Sequence, residues 1–390
     1  MFSKATVNKF SQLPTPFYYY DMEVLKETLG LLTRESGKWG FMVHYAVKAN
    51  FNSRIMETIA ASGVGADCVS GNEIGLAIKS GFSPDDIVFA GVGKTDREIE
   101  FALNSDILCF NCESKPEIEV ISSIAAKLGK VASVAIRINP NVDAHTHHYI
   151  TTGVEESKFG IQMADLADVV DLITGSPSLR LRGIHFHIGS QILDLSVFRQ
   201  LCERINELLA WFSEKNIDID IINVGGGLGI NHENPDMLPP FKEYFEIFGT
   251  LLKRKSHQKV FFEIGRAIVG QCGSLISKVL YIKEGTSQQF AIIDAGMTDL
   301  IRPALYQAFH LIENITSTGE VSHYNVVGPV CESADTFGVA IELPLTKRGD
   351  LLAIRSAGAY GEVMASRYNM RDLPRIEFSD LQTWHPGPVK

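Results

Sequence analysis

The feature that most limits the fold is an alternation along residues 41–265. Short, almost continuously apolar runs occupy 41–47, 64–69, 87–90, 107–111, 131–138, 183–188, 220–224 and 260–264. Segments of helical period lie between most of them, at 53–61, 72–79, 95–103, 115–128, 164–173, 196–212 and 241–252. A strand that is apolar on both faces has to be covered on both, so the pattern predicts parallel strands roofed by helices. Eight such runs in one stretch predict a closed (β/α)8, TIM-like barrel, a fold of about 250 residues. A doubly wound open sheet is the alternative. Beyond about residue 275 the rhythm changes to short strands at 277–282, 290–294, 323–327, 336–343 and 351–356, separated by Gly, Pro and polar turns. No long helical pattern interrupts them, which predicts a second β-sheet or β-barrel domain. Residues 17–20 read as a lone strand ahead of the barrel. The expected class is α/β plus all-β, with the barrel at 26–272 and the β-domain formed by 1–25 plus 273–390.

Composition narrows the function. The 390 residues are 45% hydrophobic and 21% charged, which excludes a disordered chain. No apolar run approaches the roughly 18 residues a membrane helix needs. Residues 1–16 lack the apolar core of a secretory signal, so a cytoplasmic protein is expected. Lys and Arg number 36 against 46 acidic residues, a net charge of −10, and nothing resembles a nucleic-acid footprint. A small-molecule enzyme is the better expectation. Six cysteines are too few for a disulfide scaffold in a chain this long and fit a reducing compartment. Cys109-Phe-Asn-Cys112 spells C-x-x-C, but it falls on a predicted strand, where positions i and i+3 face opposite sides. Buried packing is the expected role of the pair. The stretch 139–160 is long, polar and aperiodic, as functional loops are. It holds Asp143, His145, His147 and His148, yet adjacent imidazoles without a further ligand are not expected to bind metal.

The polar residues gather where a barrel keeps its chemistry, at the C-terminal ends of the strands. Lys48 follows the first strand; Asp67 and Ser70 end the second; Arg137 lies late in the fifth. His185 and His187 end the sixth, followed by Ser190. Gly225, Gly226 and Gly227 follow the seventh, and Glu263 and Arg266 end the eighth. Single residues of this kind are often a satisfied core histidine, a turn glycine or a barrel-end salt bridge, but convergence at one end of so many strands points to a functional cluster. A lysine in a desolvated barrel mouth is the type of amine that forms Schiff bases. Glycine backbone and Ser190 offer donors to a phosphate. Glu263 suits a ring nitrogen and His187 suits stacking on a ring. Together they suggest pyridoxal 5'-phosphate as cofactor.

Eight segments in order sharpen this: Tyr45-Ala-Val-Lys-Ala-Asn50, Ser157-Lys-Phe-Gly160, His185-Phe-His-Ile-Gly-Ser-Gln191, Gly225-Gly-Gly-Leu-Gly229, Glu263-Ile-Gly-Arg266, Asp294-Ala-Gly-Met-Thr-Asp-Leu-Ile-Arg-Pro303, Cys331-Glu-Ser-Ala-Asp335 and Gly358-Ala-Tyr360. On these the chain resembles the fold-type III pyridoxal-phosphate-dependent decarboxylases, whose architecture is alanine racemase-like, and most closely the diaminopimelate decarboxylase family. The resemblance implies that Lys48 is the Schiff-base lysine and that His187 stacks on the ring. Glu263 pairs with the ring nitrogen, and Asp67 belongs to the cofactor-binding set. Ser190, Gly225, Gly226, Gly227 and the segment Glu263, Ile264, Gly265, Arg266 surround the phosphate, with Tyr360 nearby. Arg266, Arg302, Tyr306 and Tyr360 bind the substrate. Cys331 is the proton donor, and Glu332 faces the distal ammonium. The resemblance further implies a homodimer in which Cys331 and Glu332 reach the partner's site. The implied reaction is decarboxylation of meso-2,6-diaminopimelate to L-lysine and CO2, the last step of lysine biosynthesis. Sister enzymes acting on ornithine, arginine or carboxynorspermidine are the alternative. Arg302 argues against it, since a distal carboxylate suits a bidentate guanidinium. Ile264 stands where the family usually has proline.

Overall fold

The structure is a computed structural model that describes residues 2–140 and 158–381. Asp143, His145, His147 and His148 lie outside the described residues. The chain divides into two compact units, one of Thr28–Gly229 with Pro239–Ala267, the other of Met1–Glu27, Ile230–Leu238 and Ile268–Lys390. Strands are numbered from β1 (Phe17–Tyr20), which belongs to the second unit.

In the first unit β2 (Met42–Ala46), β3 (Gly65–Cys68), β4 (Ile87–Phe89), β5 (Cys109–Cys112), β6 (Ala132–Arg137), β7 (Leu179–His185), β8 (Ile221–Asn223) and β9 (Lys259–Ile264) pair in parallel, each with the next. The barrel closes where β9 meets β2, with Met42 opposite Phe261 and Tyr45 opposite Ile264. The expected (β/α)8 barrel is therefore the observed one. The turns out of the strands are fixed by side chains that cap the helices following them. Asn52, Ser70, Thr95 and Ser114 accept first-turn N–H groups of helices Ser53–Ala60, Gly71–Lys79, Asp96–Asn104 and Lys115–Leu128. Thr95 and Glu98 complete a reciprocal capping box. Ser70, polar at the end of a strand, is thus accounted for as a helix cap.

The strand that carries Glu263 is held in register by its neighbours in sequence. Successive residues of a strand face opposite sides. Phe262 is packed among Phe245, Phe248, Tyr244 and Phe41, with ring centroids 4.9, 5.0, 5.5 and 5.1 Å away. Phe261, on the other face with Glu263, packs its ring 4.8 Å from His44. Cys109 and Cys112 are buried free thiols on β5, as the strand reading expected. Burial pushes Cys109 up to about 12 and raises Cys112 as well.

The second unit is a mixed sheet. Its strands β10 (Gly273–Glu284), β11 (Gln289–Ile293), β12 (Ile312–Asn314), β13 (Val321–Val327), β14 (Thr336–Pro344) and β15 (Leu351–Ile354) run in the order β12-β15-β10-β11-β13-β14. Strand β1 pairs with β10 and with β16 (Arg375–Phe378). The short β12 and β16, and a helix at Lys4–Phe10, have no counterpart in the sequence reading. Three, four and seven residues are too few to show a period. Among the described residues no helix is long and apolar enough to cross a membrane.

His44 gives the barrel a pH dependence. Its imidazole is buried, and neither ring nitrogen has a hydrogen-bond partner among the described residues. Burial lowers it to about 4, against the opposing pull of Glu263 and Asp86. An unfolded imidazole takes up its proton near about 6.5. Between those values the unfolded chain binds more protons, so stability falls as pH drops from about 6.5 to about 4, by at most ~1.4 kcal/mol per pH unit from this group. Urea unfolding at about pH 7 and about pH 5 should show a smaller pH dependence in His44→Leu than in the native chain. An equal dependence in both would remove His44 as the cause.

Candidate active site

The centre of the barrel unit is the Glu263 carboxylate. Its Oε1 accepts hydrogen bonds from Asn111 Nδ2 at 2.8 Å and Asn223 Nδ2 at 2.7 Å, and its Oε2 lies 2.9 Å from His185 Nε2. These partners come from β5, β8 and β7. Strands β5 and β9 are four apart in either direction around the barrel, so the Asn111 bond crosses the interior. Burial alone would raise the carboxyl. The charge and hydrogen bond of His185, the charge of Lys48 and the Asn223 bond outweigh it and hold Glu263 well below the ordinary carboxylate range.

Lys48 sits on a single helical turn, Val47–Ala49, immediately after β2. Tyr45 pins that turn by donating its hydroxyl to the Asn50 carbonyl at 2.8 Å. Lys48 Nζ stands 3.6 Å from Asp67 Oδ2, with the lysine side chain 38% exposed and Asp67 buried. Burial and the charge of Glu263 push the Asp67 carboxyl well above its usual range, while Lys48 pulls it down. A Cβ on Gly265 would lie 3.0 Å from the Ala49 Cβ and 3.1 Å from the Ala46 Cβ, so the glycine lets β9 approach the lysine turn closely.

Gly225 and Gly226 are required by sterics. A Cβ on Gly225 would overlap the Phe186 carbonyl oxygen, and one on Gly226 the Glu263 carbonyl oxygen. The Gly226 N–H donates to His187 Nδ1 at 3.4 Å. Burial and the positive charges of Lys48 and Arg137 hold His187 far below the usual imidazole range, so it is a neutral ring. Ser190 Oγ accepts from Arg266 Nη2 at 3.1 Å. Arg137 Nη1 pairs with Glu113 Oε1 at 2.6 Å, and Glu113 Oε2 accepts the Gly160 N–H at 2.9 Å. The end of the Ser157-Lys-Phe-Gly160 segment is tied to β6 in this way.

Lys48, Asp67, His187, Ser190, Gly225, Gly226, Gly227, Glu263, Ile264, Gly265 and Arg266 all belong to the barrel unit. Arg302, Tyr306, Cys331, Glu332 and Tyr360 belong to the second. There Arg302 opens the short helix Arg302–Tyr306, and Glu332 Oε1 accepts the Tyr368 hydroxyl at 2.6 Å. Cys331 is exposed, the other five cysteines buried. Tyr360 has a left-handed φ of 55°. Asn111 and Asn223 were missed in the sequence. The available signal was an amide side chain inside each of two otherwise apolar strands.

The model of the pyridoxal binding domain of pyridoxal-dependent decarboxylases matches residues 31–270. A diaminopimelate decarboxylase of Bacteroides thetaiotaomicron is 56% identical over 96% of this chain and 98% of its own. One of Aquifex aeolicus is 42% identical over 92% and 84%. The crystal structure of the Helicobacter pylori diaminopimelate decarboxylase complexed with L-lysine superposes with a TM-score of 0.91 at 40% identity, over 96% of this chain and 94% of that one.

The chain belongs to the diaminopimelate decarboxylase family.

The residues present fit a pyridoxal group. A lysine amine, an anionic carboxylate deep in the barrel, a neutral imidazole and a glycine cradle with an adjacent serine and arginine form the donor set such a group uses. The missing Cβ atoms of Gly225 and Gly226 let this turn lie directly against the Phe186 and Glu263 carbonyls, beside the His187 ring. In this family member, Asn111→Leu removes one hydrogen bond to a buried charge, worth about 1.5–3 kcal/mol. Glu263 should then take up a proton at higher pH, and kcat/KM should fall roughly 10- to 150-fold, most steeply on the acidic side. A pH–rate profile that overlays the native one would show that the bond does not tune Glu263.

Proposed function

We propose that this protein converts meso-2,6-diaminopimelate to L-lysine and CO2 with pyridoxal 5'-phosphate, as a cytoplasmic homodimer. The observation that carries the reading is the Glu263 carboxylate, held anionic by Asn111, Asn223 and His185 in the barrel unit that also holds Lys48. The relatives support the substrate, and the residues support the chemistry.

When bound, pyridoxal 5'-phosphate supplies an electron sink for the carbon from which CO2 departs. Every other part is played by side chains and backbone. Lys48 provides the amine that holds the cofactor covalently. Glu263 keeps a proton on the pyridine nitrogen, which an anion does and a neutral acid does not. His187, neutral and buried, would offer the face of its ring to the pyridine without adding a charge beside it. Ser190, Arg266, the Gly225–Gly227 backbone and Tyr360 bind the phosphate. Arg302 and Tyr306 hold the carboxylate that is retained in the product, and Glu332 attracts the ammonium beside it. Cys331 gives a proton to the carbon that has lost CO2. Removal of the carboxylate as CO2 and addition of one proton balance the reaction.

Purified protein should release CO2 and L-lysine from meso-diaminopimelate and show visible absorbance from the covalently held cofactor. Both should vanish in Lys48→Ala. Consumption of ornithine or arginine in place of diaminopimelate would overturn the substrate. Mixing inactive Lys48→Ala with inactive Cys331→Ala chains should restore part of the activity if sites are shared between subunits. Mixed dimers, verified by mass spectrometry and still inactive, would refute the shared site.

A further inference from the structure

The contact that matters is made by His310, a residue in none of the sequence motifs. It is buried, 2% exposed, between the helix Arg302–Tyr306 and β12. Its Nε2 lies 3.0 Å from Arg302 Nη1 and its Nδ1 lies 2.8 Å from the Arg355 carbonyl oxygen. A guanidinium can only donate and a carbonyl can only accept. The ring must therefore carry its proton on Nδ1 and offer a lone pair at Nε2. A second proton at Nε2 would set two donors against each other, so the imidazole is neutral while this contact stands.

The neighbours make the imidazole rigid. Gln307, with a left-handed φ of 52°, turns the chain after the helix, and the Ala308 N–H bonds back to the Arg302 carbonyl at 3.3 Å. The Arg355 N–H donates to the Leu311 carbonyl at 2.9 Å, which fixes His310 between its two partners. Arg355 is itself anchored: its guanidinium donates to Asp236 and to Glu313, each at 2.7 Å, and lies 5.0 Å from the Phe2 ring centroid. The ring of His232 packs edge-on against His310, centroids 5.0 Å apart.

We infer that His310 is a positioning residue for Arg302, orienting the guanidinium toward a substrate carboxylate through a neutral acceptor. The inference rests on the reading of Arg302 given above. The choice of partner has a physical logic. A carboxylate at this place would orient the arginine equally well but would cancel its charge. A neutral imidazole fixes the geometry and adds no opposing charge of its own beside the guanidinium.

The test uses the holoenzyme and two polar variants of opposite kind. His310→Gln keeps an acceptor near the Nε2 position, whereas His310→Asn keeps a donor near Nδ1 and loses the acceptor. The Asn variant should raise KM for meso-diaminopimelate about 10- to 100-fold, the range of a lost hydrogen bond to a charged group, with kcat much less affected. The Gln variant should stay close to the native KM. A role limited to the Arg355 carbonyl gives the opposite order, and that order overturns the inference; a role limited to packing gives the same rise whether or not Arg302 is present. The Asn substitution placed in an Arg302→Gln background should add no further rise in KM. An equal rise there also overturns it. If Arg302→Gln alone leaves KM unchanged, the reading of Arg302 fails and takes this inference with it. If Arg302→Gln raises KM while His310→Asn does not, only the inference about His310 fails.

Discussion

The Glu263 carboxylate is the constraint on which the rest of the barrel depends. An ionised group buried away from water is tolerated only when its lone pairs are matched by donors. Glu263 meets that condition with two amides and an imidazole from three different strands. The strand register must therefore be right at several places at once. Phe262 enforces it from the other face, since a one-residue slip would draw that ring out of its aromatic box and turn the carboxylate outward. A hydrophobic contact on the outside of the barrel thus fixes the electrostatics inside it.

What the sequence disclosed was local. Apolar runs, the glycine run, a lysine just past a strand and a C-x-x-C on a strand each declare themselves within a few residues, and the structure has the barrel and the mixed sheet they imply. What stayed hidden was relational. Asn111 has meaning only because β5 lies across from β9, and no spacing in the chain states that. His310 has meaning only through Arg302 and Arg355, one on a neighbouring helix and the other just beyond β15. Strand β10 runs to twelve residues, where the pattern suggested 277–282, because β1, β15 and β11 all pair along it. Ser70 misled in the other direction: polar at a strand end, it serves a helix.

Neutral imidazoles recur as orienting groups. His187 accepts a backbone N–H at Nδ1 and presents its ring. His310 accepts from a guanidinium at Nε2. In each case the lone pair does the holding and no charge is introduced beside a group whose own charge matters. Glu263 is the converse: there the charge is wanted, and a full set of donors maintains it. Asp67 lies between the two, with burial and Glu263 disfavouring its anion and Lys48 favouring it.

The hydrogen bond from Asn111 to Glu263 has a consequence for how the barrel could be taken apart. The eight strands divide into two half-barrels, β2–β5 and β6–β9. The donor lies on the last strand of one half and the acceptor on the last strand of the other. A half bearing Glu263, joined to one with no donor at position 111, would keep its backbone geometry and still leave a buried anion short of a partner. The charge state of one half is set by a side chain of the other.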